Sequence, residues 1–121
     1  MSGEEFTKPR LNGSLLPNYM GRQICLLGMA KNVDSSGNFF TLTTSDNQDV
    51  RIQMQEPLSV HVAGLTEVHG QVTSRNSVQC ENVVVFSDEA TEKFDMALYQ
   101  KALELTQRCS NHYIQGGIME D

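Results

Sequence analysis

The chain has 121 residues, of which 39% are hydrophobic and 20% are charged, and its formal net charge is −6. This length and composition predict one globular domain and exclude a disordered chain. The chain contains no apolar run near the roughly 20 residues of a membrane helix, and its acidic balance argues against a protein that grips phosphates by itself.

The N-terminal part of the chain is polar. Residues 1–13 contain glycine and few apolar side chains, which predicts a flexible arm. The first ten residues lack the apolar region of a secretory signal, so we expect a protein that is not secreted. Leu15, Leu16, Tyr19 and Met20 are expected to form a short helical turn or an extended lead-in that covers one end of the strands that follow.

Five strand-like runs come next, separated by turn signals such as the Asp-Ser-Ser-Gly-Asn sequence at 34–38. They occupy residues 23–32, 39–44, 49–55, 66–73 and 78–86. Gly28 interrupts the first run, which often marks a bend or a bulge. The alternation of the fourth run places His69 on its polar face, where a solvent-exposed histidine is expected. Residues 14–87 therefore fit a five-stranded Greek-key barrel of the oligonucleotide-binding (OB) type, and an SH3-like barrel fits almost as well.

The pattern changes to a helical period after Ser87. Residues 88–110 are predicted to form one C-terminal α-helix, and residues 111–121 a short tail. The apolar side chains of this helix span an arc of about 200°, which is wider than one small barrel can cover. They form two stripes with the spacing of helix–helix seams, namely Leu98, Ala102, Leu105 and Cys109, and Met96, Tyr99, Leu103 and Thr106. This width predicts contact with partner helices, and the alternative is a helix deeply buried within a monomer.

The sequence carries no recognisable catalytic or metal-binding motif. Cys25, Cys80 and Cys109 are widely spaced and form no C-x-x-C pair, which indicates reduced thiols rather than a zinc site. The three histidines are equally scattered. Without a phosphate-binding glycine loop, a nucleophile elbow or an H-E-x-x-H helix, we expect no enzyme, no metal and no cofactor.

Several short segments together resemble the family of the smallest subunit of replication protein A, the eukaryotic single-stranded-DNA-binding heterotrimer. They are GRQICLLG at 21–28, MQEPL at 54–58, EVHGQVT at 67–73 and FDMALY at 94–99. Pro9-Arg10 and the short tail also match in place. The resemblance runs from about Pro9 to the C-terminus and depends on the order of the segments.

This resemblance implies an OB barrel followed by a helix that joins helices of the middle and large subunits in a three-helix bundle. It also implies a nuclear location and roles in DNA replication, repair and recombination. The small OB subunit of a telomere-capping complex has the same outline and remains an alternative.

An OB barrel receives nucleic acid on its second and third strands and adjoining loops. The candidates there are Phe39 for stacking, with Lys31, Arg51 and Arg75 for phosphates. However, residues 20–86 carry four basic and six acidic side chains, and residues 87–121 carry three and seven. Family members often have a basic residue where this chain reads Met29-Ala30. An autonomous nucleic-acid-binding module is therefore the alternative to a structural role rather than the main prediction.

The sequence thus predicts a non-catalytic structural subunit that reaches single-stranded DNA mainly through its complex. Its expected contacts with partner subunits are Phe94, Leu98, Tyr99, Ala102, Leu103, Leu105, Thr106 and Cys109.

Overall fold

The computed structural model describes residues 8–59 and 61–116, with side chains as far as residue 106. The described chain contains six strands, a 3-10 helix and two α-helices. Their bounds are β1 Arg10–Leu11, the 3-10 helix Gly13–Tyr19, β2 Gln23–Lys31, β3 Phe39–Thr44, β4 Asp49–Met54, β5 Gly64–Ser74, β6 Ser77–Val85, α1 Asp88–Lys93 and α2 Met96–Gly116. None of the described helices is both long and apolar enough to cross a membrane.

Strands β2 to β6 close into a barrel. Strand β2 pairs antiparallel with β3 on one side and with β5 on the other. Strand β3 pairs antiparallel with β4, β4 pairs parallel with β6, and β6 pairs antiparallel with β5. The resulting order β2-β3-β4-β6-β5 is that of the five-stranded Greek-key OB barrel. The predicted OB fold with a C-terminal helix is therefore confirmed.

The barrel interior is filled by side chains that alternate along each strand. In β4, Val50 and Ile52 point inward and are buried, while Arg51 and Gln53 point outward. The 3-10 helix contributes Leu16, which has no exposed surface and belongs to the same core. The short helical turn expected near Leu15 and Leu16 is thus present, and it packs on the barrel as predicted.

The predicted flexible arm is wrong for its last residues. Arg10 and Leu11 form strand β1, which pairs parallel with Cys25 and Leu26 of β2. Leu11 is buried in the barrel core, and the Cys25 backbone N–H donates to the Pro9 carbonyl oxygen at 2.9 Å. The buried Leu11 side chain and the backbone pairing with β2 hold this segment on the barrel. Residues 1–7 of the predicted arm lie outside the described residues.

The predicted single helix over 88–110 is also corrected, because the chain forms two helices. The first ends at Lys93, and Phe94 adopts an extended conformation. The Leu98 backbone N–H then donates to Asp95 Oδ1 at 3.0 Å, so Asp95 caps the start of α2. Helix α2 continues to Gly116 and includes residues that were predicted as tail. Residues 117–121 of that tail lie outside the described part of the chain.

A half-buried carboxylate joins the 3-10 helix to the turn between β3 and β4. The backbone N–H groups of Gly13 and Ser14 donate to Asp46 at 3.1 and 3.0 Å, and the Ser14 and Thr44 hydroxyls also donate to it. Burial raises the pKa of Asp46, but these hydrogen bonds outweigh burial and leave the pKa below its ordinary value. The ionised carboxylate therefore stabilises the folded state.

We expect Asp46→Asn to lower the free energy of unfolding by about 1–3 kcal/mol at neutral pH, because it weakens charge-assisted hydrogen bonds. Since the folded pKa of Asp46 is below the unfolded one, this stabilisation is complete above the unfolded pKa. It disappears as the pH falls through the folded pKa. The difference in free energy of unfolding between the wild type and Asp46→Asn should therefore be smaller at strongly acidic pH than at neutral pH, as measured by urea unfolding. Asp34→Asn is the control, since Asp34 accepts hydrogen bonds from Ser36 within its own turn. An equal loss in both variants would contradict the role given to Asp46.

Candidate functional site

One face of helix α2 packs against the barrel. Leu103 is only 5% exposed, and it lies with Asn12, Leu15 and Gln100 around a depression between α2 and the 3-10 helix. The Gln100 Oε1 atom accepts hydrogen bonds from Asn12 Nδ2 at 3.3 Å and from Ser45 Oγ at 2.6 Å. The helix is therefore held through its Leu103 side.

A second face of α2 remains open to solvent. Leu98 is 63% exposed and Leu105 is 55% exposed, and Ala102 between them is exposed as well. We call these three residues the Leu98 face. Its first part adjoins a shallow, largely apolar depression lined by Lys93, Phe94, Asp95, Leu98, Tyr99 and Ala102. A single exposed leucine is ordinary, whereas a contiguous exposed apolar patch marks an interaction surface.

The eight predicted partner contacts are thus divided by the fold. Thr106 is exposed, and its hydroxyl donates to the Ala102 carbonyl oxygen at 2.9 Å. Phe94 and Tyr99 are half-buried, with ring centroids 5.7 Å apart. Leu103, also predicted to contact a partner, is instead buried within this chain, beside Asn12 and Leu15. Cys109 lies on α2, but its side chain is outside the described residues.

Three of the four nucleic-acid candidates lie together on the outer surface of β2, β3 and β4. Thr41 is the pairing partner of both Lys31 and Arg51. The Arg51 guanidinium lies over the Phe39 ring, 4.0 Å from its centroid. Lys31 Nζ is 3.3 Å from a carboxylate oxygen of Asp49. An arginine thus covers the ring on which a base would stack, and an acid partly neutralises the nearby lysine.

Arg75 lies apart from that surface group. It is exposed in the turn between β5 and β6, and it lines a depression with Gly13, Pro17, Gln48 and Asn76. The structure therefore places Arg75 beside the 3-10 helix, and the four candidates do not form one site.

The fold also assembles a polar cluster that the sequence spacing concealed. On the outer wall of the barrel, Cys25 Sγ donates to Glu67 Oε2 at 3.1 Å, and Arg10 Nη1 donates to the same oxygen at 2.7 Å. His69 Nε2 is 3.4 Å from Glu67 Oε1, and its side chain is only 25% exposed. The prediction of a freely exposed His69 is therefore wrong. Because Cys25 and His69 are direct partners across β2 and β5, a correct strand register would have revealed the pair.

Burial and the neighbouring carboxylate control the ionisation of this cluster. Burial, followed by Glu67, raises the pKa of the Cys25 thiol to about 12. Burial also raises the pKa of Glu67, but hydrogen bonds from Cys25 and Arg10 leave it below its ordinary value. Burial raises the pKa of Tyr99, which Arg10 lowers only in part, and the buried Tyr99 hydroxyl has no hydrogen-bond partner among the described residues. The cluster thus lies between the barrel wall and the first turn of α2.

Comparisons with solved structures support the fold. A replication protein A structure from U. maydis, bound to single-stranded DNA, contains a chain with 26% sequence identity and a TM-score of 0.73, and the match covers 88% of this chain and 94% of that chain. The Stn1-Ten1 complex of S. pombe contains a chain with 10% identity and a TM-score of 0.65, with coverage of 85% and 94%. The telomere capping protein Ten1 from S. pombe gives 11% identity, a TM-score of 0.65, and coverage of 85% and 100%.

The two telomere proteins therefore share the fold with this chain. Their sequence identity is too low to indicate a shared function. The family model of replication factor A protein 3 matches residues 1–113, which is nearly the whole sequence. This match confirms the resemblance drawn from the ordered segments between Pro9 and the C-terminus. The chain belongs to the replication factor A protein 3 family.

Proposed function

We propose that this chain is a non-catalytic structural subunit of the heterotrimeric replication protein A complex. Helix α2 docks with helices of the middle and large subunits and so supports trimer assembly. The assembled complex binds single-stranded DNA in the nucleus during DNA replication, repair and recombination. Family membership supports the proposal that this chain is part of the complex. The exposed Leu98 face supports the proposal that helix α2 makes the contacts with the other subunits.

The observation that carries this proposal is the exposure of Leu98 and Leu105 on a helix already anchored to its own barrel. Gln100 and Leu103 occupy the barrel side, so the Leu98 face is left for another chain. Burying each large apolar side chain would contribute about 1.5–3 kcal/mol before the entropic cost of association. The geometry suits a helix partner, because residues at 98, 102 and 105 have the 4-3 spacing of a helix–helix seam.

Direct binding of DNA by this chain is proposed to be secondary. The replication protein A structure from U. maydis was solved with single-stranded DNA, so DNA binding belongs to that complex. Here Arg51 is stacked on Phe39, and Asp49 accompanies Lys31. Since affinity for nucleic acid depends largely on neutralising phosphates, an acidic barrel with these pairings should contribute little.

We expect the isolated chain to bind a single-stranded oligonucleotide more weakly than about 1 µM at physiological salt, because it has no net basic groove to neutralise phosphates. Phe39→Ala and Arg51→Ala should change that affinity less than about threefold, well below the usual value of a stacked base. Fluorescence anisotropy measures both. Submicromolar binding that either substitution abolishes would instead support an autonomous nucleic-acid-binding module.

The partner proposal is tested by pull-down of the full chain from nuclear extract, with mass spectrometry of the proteins it retains. Recovery of the middle and large subunits of replication protein A is expected. Recovery of telomere-capping subunits in their place would support the alternative complex, whose S. pombe members share the fold.

A further inference from the structure

Three side chains of the outer barrel wall present donor atoms to one another in a way that suits a metal ion. Cys25 Sγ, a Glu67 carboxylate oxygen and His69 Nε2 all lie within 4.8 Å of each other. Residue 25 of β2 pairs directly with residue 69 of β5, and Glu67 is two residues before it on the same face. The strand register itself therefore holds the three donors together.

The distances between these donors are close to those of tetrahedral zinc coordination. Usual Zn–S, Zn–N and Zn–O bond lengths place neighbouring ligand atoms about 3.3–3.6 Å apart. Here Sγ is 3.1 Å from Glu67 Oε2 and 4.0 Å from His69 Nε2, and that nitrogen is 3.4 Å from Glu67 Oε1. The two contacts use different Glu67 oxygens, so binding requires these side chains to rotate until one oxygen, Sγ and Nε2 form the ideal triangle.

In the structure, the Arg10 guanidinium neutralises the charge of the Glu67 carboxylate. Its Nη1 atom lies 2.7 Å from Glu67 Oε2 and 3.6 Å from Cys25 Sγ. The Arg10 side chain is 55% exposed, so it can rotate into solvent and leave the carboxylate to another cation. A metal ion and Arg10 would then compete for the same oxygen.

We propose that Cys25, Glu67 and His69 form a zinc-binding site on the outer wall of the barrel, beneath the first turn of α2. On binding, the Cys25 thiol releases its proton to solvent, and the thiolate, imidazole and carboxylate bind the ion as three protein ligands. Water takes the fourth position, as in other three-ligand zinc sites. A thiolate with an imidazole favours zinc over magnesium or calcium, which prefer oxygen ligands.

Titration of the reduced full chain with Co²⁺, a spectroscopic substitute for Zn²⁺, tests the site. We expect one equivalent to bind, a thiolate-to-cobalt charge-transfer band in the near ultraviolet, and loss of that band when Zn²⁺ is added. Cys25→Ser should abolish the band. Glu67→Gln and His69→Ala should each weaken binding at least about tenfold. Arg10→Ala should strengthen binding, because it removes the competing cation.

The matched controls are Cys80→Ser, Cys109→Ser and His61→Ala, which should keep the band and the affinity. Cys80 is a buried thiol like Cys25, but its Sγ donates to the Asn82 carbonyl oxygen instead. Far-ultraviolet circular dichroism confirms that each variant is folded. If Cys25→Ser does not fold, the opposite effects of Arg10→Ala and His69→Ala still test the site. Absence of the band in the wild-type chain, its survival in folded Cys25→Ser, or weaker binding by Arg10→Ala would overturn the proposal.

Discussion

Replacing Leu98 and Leu105 together by aspartate is expected to abolish assembly with the middle and large subunits of replication protein A. Both side chains are more than half exposed in the isolated chain. In the proposed helix bundle, a charged group at either position would be buried without a partner, which is strongly unfavourable. Loss of the two leucines alone removes about 3–6 kcal/mol of apolar burial, enough to lower affinity by more than a hundredfold.

The same substitutions should leave the isolated chain folded, because neither leucine belongs to the barrel core. Co-expression of the three subunits followed by size-exclusion chromatography measures assembly, and thermal unfolding of the isolated chain measures its stability. Ala97→Asp is the control for Leu98→Asp. It adds the same charge at an exposed position one residue earlier, about 100° around the helix axis. We expect this variant to assemble normally.

Co-elution of the double variant in a stable trimer would show that the Leu98 face is not the assembly surface. Failure of Ala97→Asp to assemble would show that any added charge on α2 blocks assembly. The Leu98 face could then not be assigned as the assembly surface.

The second large effect is expected in the barrel itself, from Gly28→Ala. Gly28 pairs with Thr44 of β3 and Thr66 of β5, so β2 has a neighbour on both edges at this point. An added Cβ would lie 2.3 Å from the Thr43 carbonyl oxygen, a backbone atom that cannot rotate away. We expect a loss of about 3 kcal/mol in the free energy of unfolding, at the upper end of overpacking effects.

Urea unfolding of the isolated chain measures this loss. Met29→Ala, one residue later on the exposed face of β2, is the control and should change stability by less than about 1 kcal/mol. A Gly28→Ala variant with wild-type stability would contradict the close approach of β2 and β3.

The barrel was largely predictable from the sequence, since inward and outward residues alternate so clearly in runs such as Asp49–Met54. Gly28 also signalled a special position, although the structure explains it by the close approach of β3. Strand β1 was not predictable, because two residues cannot display a period. Its place depends on Leu11, which enters a core built by strands far along the chain.

The functional surfaces were predictable only in part. The width of the apolar arc on the C-terminal helix indicated two faces, but periodicity cannot tell which face packs on the barrel. That choice depends on Gln100 meeting Asn12 and Ser45, which are 88 and 55 residues away in sequence. Asp95 disrupted the apolar arc and could have been interpreted as a helix cap. The Cys25 and His69 pair needed the register of β2 against β5, which the pattern of neither strand contains.

Thiol labelling tests whether partner helices cover the Leu98 face, as proposed above. Leu98→Cys and Ala97→Cys are introduced separately into a Cys109→Ser chain, and a maleimide reagent is applied before and after assembly with the middle and large subunits. Both thiols should react rapidly in the isolated chain. On assembly, labelling at 98 should slow at least about tenfold while labelling at 97 stays fast. Equal, rapid labelling at both positions in the assembled trimer would contradict the proposal.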